Sequence, residues 1–314
     1  MSADGRDRDP GANGTDPDPG AAGPGGAAAA PAMPAAMVGD VVAGDLVEVR
    51  PGVRRLTAPN PGMMTGPGTN CYLIGTEAVT VVDPGPDVPE HVDAIVEAGA
   101  GRIRWIALTH THVDHWPATP ALAAATGAEV VAFDSRDGLE VDRTVGAGDV
   151  VGEGDAAVAV VPTPGHASNH LCFWDAGRGL LFTGDHVMSG STVVIAPPDG
   201  DMAAYLDSLA RVRALGAEAL APAHGPLITD PDAYVGHYID HRLAREAAVA
   251  AALAEVGPAG ADTEAIVEAV YVDVHPMLHP VARFSVWAHL RKLADEGRAR
   301  GIDPDDPDTT WTPA

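Results

Sequence analysis

The chain has 314 residues and a formal net charge of −25, with 44 acidic side chains against 19 basic ones. That length supports one large core plus a small second domain. So acidic a surface repels polyanions, which disfavours nucleic acid as a partner and keeps RNA only as an alternative. No apolar run reaches membrane-spanning length, and the start lacks the basic patch and apolar run of a secretory signal. We therefore expect a cytoplasmic protein with no membrane partner; the homo-oligomeric state is unassigned.

Residues 1–37 are rich in Gly, Pro, Ala and Asp and nearly free of branched and aromatic side chains. Such a segment buries too little apolar surface to offset its ordering entropy, so a disordered tail is expected. Leu46-Val47-Glu48-Val49-Arg50 then alternates as a half-buried strand does, and residues 53–57 can pair with it. A turn at Pro59-Asn60-Pro61-Gly62 precedes a strand over residues 70–74, and Gly75 leads into a strand over 78–83 that ends in Asp83. Residues 91–98 have helical spacing. Ile103-Arg104-Trp105-Ile106-Ala107-Leu108 reads as a buried strand, and Pro117 and Pro120 suit the first turn of a following helix.

The second half repeats the theme. Strands are predicted over 128–133, 149–151, 157–161, 171–174 and 179–182, and Asp201 caps a helix with Tyr205, Leu209 and Val212 on one face. Cys71 and Cys172 each sit in an apolar strand and are expected to be reduced packing residues. Further helices are predicted from Arg242, from a cap at Asp262 or Thr263 (burying Ile266, Val267 and Val270), and from Pro280. The last carries Phe284, Trp287 and Leu290 on one face, with Gly297 past its end.

Between the Trp105 strand and its helix lies Thr109-His110-Thr111-His112-Val113-Asp114-His115. In extended backbone, residues two apart project the same way, so His110 and His112 can grip one cation, while Asp114 and His115 face a second nearby. Imidazole and carboxylate together suit zinc, with manganese or iron as competitors. Asp83, His166, Asp185 and His224 also follow strand ends, which is how rigid strands fix ligand side chains. Alternation of strands and helices, twice over, suggests two sheets face to face with helices outside.

These ordered motifs resemble the metallo-β-lactamase superfamily, an α/β fold built as an αβ/βα four-layer sandwich with a dinuclear site. The resemblance implies two Zn2+ ions per chain. His110, His112 and His166 would hold one and Asp114, His115 and His224 the other, with Asp185 bridging and Asp83 orienting a ligand histidine behind them. Pro61-Gly62, Gly68-Thr69-Asn70-Cys71-Tyr72-Leu73 and the stretch Tyr-Ile-Asp-His-Arg-Leu-Ala-Arg-Glu over 238–246 look like the LACTB2-like branch. That branch implies a metal-hydrolase domain over 38–240 and a winged-helix domain over 241–314. One departure is Trp116-Pro117-Ala118 where family members often have Ser-Gly-Gly; Trp116 is expected to narrow the pocket, with Asn70 and Thr192 as further pocket candidates.

The reaction class implied is metal-assisted hydrolysis by a metal-bridging hydroxide, with Asp114 as catalytic proton shuttle. Asp185 argues against β-lactam hydrolysis, because β-lactamase subclasses use Cys in the second site or lack the bridging aspartate. An ester or thioester, small or on an acyl carrier, or a phosphodiester is the expected substrate. Two alternatives stand beside it: a LACTB2-like single-strand endoribonuclease, and a non-catalytic winged-helix regulator with a structural metal.

Overall fold

The structure, a computed structural model, describes residues 37–38, 40–272 and 274–314. The predicted tail lies outside the described residues except for Met37, which begins the first strand and pairs with Ile228. The strands of the first half are β1 (Met37–Val38), β2 (Leu46–Arg50), β3 (Val53–Thr57), β4 (Asn70–Ile74), β5 (Val79–Val82), β6 (Ile103–Ala107), β7 (Glu129–Ala132) and β8 (Arg143–Thr144). Those of the second are β9 (Val150–Val151), β10 (Val158–Pro162), β11 (Leu171–Asp175), β12 (Leu180–Gly184), β13 (Ala219–Pro222), β14 (Leu227–Ile228), β15 (Ala299–Gly301) and β16 (Trp311–Pro313). The α-helices are α1 (Pro89–Gly99), α2 (Thr119–Thr126), α3 (Met202–Ala214), α4 (Pro231–Val256), α5 (Thr263–Val270) and α6 (His279–Asp295).

Among the described residues the strands form two seven-stranded sheets and one ribbon. The orders are β2-β3-β4-β5-β6-β7-β8, β1-β14-β13-β12-β11-β10-β9 and β15-β16. Parallel neighbours need a crossover, and helices supply it: α1 between β5 and β6, α2 between β6 and β7, α3 between β12 and β13. The sheets face each other across one core, where Tyr72, Ile74 and Val82 meet Leu171, Phe173 and Phe182. The rings of Tyr72 and Phe182 meet edge to face at 5.2 Å. Outside the first sheet, Val92, Ile95 and Leu122 of α1 and α2 cover Leu73, Val81 and Ile106. Outside the second, Tyr205 and Leu209 of α3 and Tyr234 and Tyr238 of α4 cover Leu181 and Leu220. This is the αβ/βα four-layer sandwich. Cys71 and Cys172 are both free and buried in it.

Asp201, Asp230 and Asp262 each cap a helix by accepting from a backbone N–H three residues on. α4 runs unbroken from 231 to 256, so residue 240 lies mid-helix and one rod serves both units. Beyond it, Leu253, Ile266, Val286, Leu290 and Trp311 make a separate small core for the winged helix, in which α5 and α6 are followed by the β15–β16 wing. The single apolar face predicted for α6 is divided. Trp287 and Leu290 are buried, but Phe284 is 42% exposed. Steps of three residues rotate each side chain about 60° round a helix, so Phe284 and Leu290 stand about 120° apart.

Candidate metal centre

Asp83, the 109–115 loop, His166, Asp185 and His224 all lie just beyond the carboxyl ends of strands: β5, β6, β10, β12 and β13. Open α/β sheets place ligands at that edge. His110, His112, His166 and Asp185 bring one donor atom each to within 4.8 Å of one another, and Asp114, His115 and His224 do the same beside them. The Asp185 carboxylate lies between the groups. Its Oδ2 is 3.6 Å from His166 Nε2 and 3.7 Å from His115 Nε2, and its Oδ1 is 3.2 Å from His224 Nε2.

The rings are aimed from behind. Asp83 accepts from the Thr109 N–H at 2.8 Å, from the Thr109 hydroxyl at 2.7 Å and from His115 Nδ1 at 2.9 Å. The Thr109 hydroxyl, its own proton so engaged, accepts from His110 Nδ1 at 3.0 Å. Asp83 thus turns two rings, from a left-handed backbone position (φ 49°) that aspartate tolerates better than most residues. His166 Nδ1 donates to the Val194 carbonyl at 2.8 Å, and His224 Nδ1 faces the Gly68 carbonyl at 3.3 Å. Gly184 lets the pieces close up: a Cβ there would sit 2.7 Å from Thr109 and 2.8 Å from His170 Nε2. His170 is buried, and its Nε2 accepts from the Asp185 N–H at 3.2 Å.

Three ring nitrogens, His110 Nε2, His112 Nδ1 and His166 Nε2, converge with contacts of 2.9 and 3.0 Å to the His112 atom. With their Nδ1 atoms engaged behind, His110 and His166 both turn a free Nε2 lone pair to the same point as His112 Nδ1, an arrangement that suits a cation between them. Ligand atoms about 2.0–2.1 Å from a tetrahedral zinc stand about 3.3 Å apart, close to the spacing found. His115 Nε2 is buried, makes no hydrogen bond, and lies 3.4 Å from Asp114 Oδ2. The donor set therefore fits dications.

Electrostatics divide the cluster. Burial pushes His110 well below the ordinary imidazole range and, with the neighbouring His166, lowers His112 to about 4. In the other group burial is outweighed. Asp185 and Asp114 hold His224 up to about 9, and Asp114, Asp185 and Asp83 hold His115 well above its usual value. Burial likewise opposes the charge on Asp114, but His115 and His224 hold it down to about 2. Two imidazoliums thus balance the carboxylates, and a bound dication takes the place of their protons.

His112 and Val113 are exposed and open on a cleft of about 940 Å³ that Met64, Arg136, Asp137, Asp199, Val281 and Phe284 also line. Val281 and Phe284 belong to α6, so the winged helix walls the metal cleft. Arg136 is the one Lys or Arg among the cleft's lining residues, and Asp134 and Asp199 pair with it. Thr192 lines a neighbouring cavity. Asn70 and Trp116 line neither. Asn70 is buried, and its amide donates to the carbonyls of Pro222 and Gly225 at 2.9 and 2.8 Å, tying β4 to the His224 loop. Trp116 donates to the Thr111 carbonyl at 3.1 Å and packs under the histidine loop beside the α1–α2 core. The sequence reading missed Val194, Val281 and Phe284; the only trace of them was an apolar residue type common to any core.

A four-layer sandwich with a cluster of five histidines and two aspartates at its strand ends defines the class, an α/β sandwich with a candidate metal centre. The pattern of the Metallo-beta-lactamase superfamily matches residues 64–224, and that of the Beta-lactamase associated winged helix domain matches residues 263–311. The chain belongs to the metallo-β-lactamase superfamily, in its LACTB2-like branch, and is one of its hydrolases. It is 30% identical over 256 residues to the Beta-lactamase-like protein 2 homolog of Caenorhabditis elegans, covering 78% of this chain and 85% of that one. It is 32% identical over 215 residues to an Atrochrysone carboxyl ACP thioesterase of Aspergillus chevalieri, covering 67% and 68%. A Beta-lactamase domain protein from Burkholderia ambifaria shares the fold over 90% of this chain and 95% of its own, with a TM-score of 0.73 at 22% identity. Among the described residues, no helix is long and apolar enough to cross a membrane.

Proposed function

We propose that the chain is a dizinc hydrolase of esters or thioesters, carried by a small molecule or an acyl carrier. Its ligands are His110, His112 and His166 on one side, Asp114, His115 and His224 on the other, and Asp185 between. The observation that carries the substrate class is the charge of the cleft: its single guanidinium is already paired, and Asp137 and Asp199 stand at its wall. Beyond the metal ligands, the flanking phosphates of an RNA strand would find no unpaired lysine or arginine among the cleft's lining residues to hold them. The likeness to a relative named as a thioesterase agrees with this reading.

Bound zinc would acidify water to near neutrality and polarise the attacked carbonyl. The protein's own groups do the rest. Asp83, Thr109 and Val194 hold three ligand rings in the tautomer that leaves the inward nitrogen free. Asp114 is half-buried with Oδ2 3.2 Å from His224 Nε2, and it faces the cleft. Its carboxylate is ionised at neutral pH and is placed to take a proton from the attacking water and pass it to the leaving group. Apolar walls from Met64, Val281 and Phe284 limit water around the reacting carbonyl.

The test is a panel of p-nitrophenyl esters, N-acetylcysteamine thioesters, lactones, a phosphodiester and short single-stranded RNA, each with and without chelator. Chelator-sensitive turnover of esters or thioesters is expected. Cleavage confined to RNA would move the assignment to an endoribonuclease, and no turnover together with sequence-specific duplex binding would move it to a regulator.

A further inference from the structure

A second cavity of about 280 Å³ lies beside the metal cleft, where the winged helix meets the sandwich. The two cavities share Met64, Met188, Val193, Val194 and Val281 as walls, so these residues form a common partition. The unshared walls include Met63, Val274, Leu278 and Ala282. Apolar side chains also gather on the outer surface there: Met63 is 75% exposed and Met277 80%, and Leu278 is exposed as well. A contiguous exposed apolar patch running into a catalytic cleft marks a ligand surface.

Three of the chamber's polar side chains are engaged by neighbouring protein groups. Arg242, which is buried, gives its guanidinium to the Val193 carbonyl and lies over the Tyr205 ring, 5.5 Å from its centroid. His241 stacks on His237 at 6.1 Å. Tyr271 lies under the Arg245 guanidinium, 4.4 Å away. Ser191, Thr192 and Ser285 carry no charge, and among the described residues no carboxylate lines the chamber.

From this we infer that the interdomain chamber receives the apolar acyl part of the substrate while the scissile carbonyl stays at the metal cluster. The inference rests on the ester or thioester reading above. Its basis is the shared wall and the apolar lining. A chamber of this size holds about nine groups the volume of a water molecule, which suits a medium-length alkyl chain or one aromatic ring. Met64 and Met188 in the partition are unbranched and can swing aside for such a chain. The winged helix then selects substrate, since Val274, Leu278, Val281 and Ala282 all precede or open α6. Burying one methylene is worth about 0.8 kcal/mol, roughly fourfold in affinity, so preference should climb with chain length until the chamber is full.

The experiment uses full-length, zinc-loaded protein and p-nitrophenyl esters of acetic, hexanoic and decanoic acids, which share one leaving group. In the wild type, kcat/KM for hexanoyl is expected to exceed that for acetyl by tenfold or more. Leu278→Trp and Val274→Trp, which fill the chamber from two sides, should bring that ratio to within about threefold of one. The ratio is internal to each protein, so a loss of folded enzyme leaves it unmoved. Calorimetric binding of the product acids, hexanoate and decanoate, separates the two readings. Acid binding that both tryptophans abolish, without turnover of these esters or of the matching N-acetylcysteamine thioesters, overturns the hydrolase assignment and keeps the chamber. Ester turnover with the same chain-length ratio in all three proteins, or no preference in the wild type, overturns the chamber and keeps the hydrolase.

Discussion

His166 turns its Nδ1 to the carbonyl of Val194, and the neighbouring carbonyl, Val193, accepts from the buried guanidinium of Arg242 on α4. Tyr238, one turn earlier on α4, accepts from the Met188 N–H at 3.0 Å and donates toward the Ser191 carbonyl. The loop over 188–194 is therefore pinned at three points by a helix that continues into the winged helix. It offers a physical reason for the 238–246 stretch that the sequence singles out.

Loosening that pin should loosen His166. Arg242→Met is expected to weaken zinc at the His110, His112 and His166 group about tenfold, the lower end of what lost support behind a ligand costs. Competition with a chromophoric chelator measures it, with circular dichroism to establish that the fold survives. Tyr238→Phe, which keeps the ring, should lie between the wild type and Arg242→Met.

Asp83 supports two rings at once, so its loss should cost more than the loss of either partner. Asp83→Ala is expected to reduce zinc affinity about 10- to 100-fold, and Asp83→Asn less, because the amide oxygen still accepts from His115. Thr109→Val should act through His110 alone. Equal affinities in all three variants would mean that the rings are held by packing.

Zinc binding should release protons and weaken as pH falls. His224, raised to about 9, is protonated at neutral pH without metal, His115 is likewise held well above its usual value, and only their neutral rings bind a cation. Competition for those nitrogens grows from pH 9 downward. Titrations in buffers of different ionisation enthalpy between pH 9 and 6 read the proton count, and a pH-independent affinity would contradict the assignment of these two rings.

The metal motifs were the most legible part of the chain. Histidines and aspartates at strand ends are scarce residue types in fixed local spacing, and the strand periodicity that carries them is equally local. What stayed hidden depends on which surface docks against which. Phe284 looks like a core residue by spacing, yet α6 presents it to the cleft. Asn70 looks like a pocket residue by type, yet two backbone carbonyls claim its amide. The Val194 carbonyl has no sequence signature, because any residue offers the same oxygen. The helix expected from Arg242 begins at Pro231 instead, so the expected domain break at residue 240 falls inside one continuous helix.

Glu246 ends the same stretch and ties α4 to α6 and to Arg298 beside the wing. His289 and the ammonium of Lys292, the latter at 2.8 Å, and the Arg298 guanidinium at 3.0 Å hold its carboxyl down to about 2. Its folded value lies below the unfolded one, so its contribution is fully present above about pH 4.5 and fades as pH falls towards 2. In chelator-treated protein, the urea midpoint of Glu246→Gln should fall below the wild type at pH 6, and the gap should narrow by pH 3. A constant gap would assign the loss to packing.

Zinc content and ester turnover read on one sample test the central claim most directly. Protein purified without chelator should carry close to two zinc per chain, lose chelator-sensitive esterase or thioesterase activity as zinc is stripped, and regain it on adding two equivalents. Asp185→Asn, which removes the charge shared by both groups, should lower the content of both metals and abolish turnover with the fold retained. One tightly held equivalent that survives loss of Asp114 and His224, or unchanged turnover in Asp185→Asn, would contradict a dinuclear hydrolase.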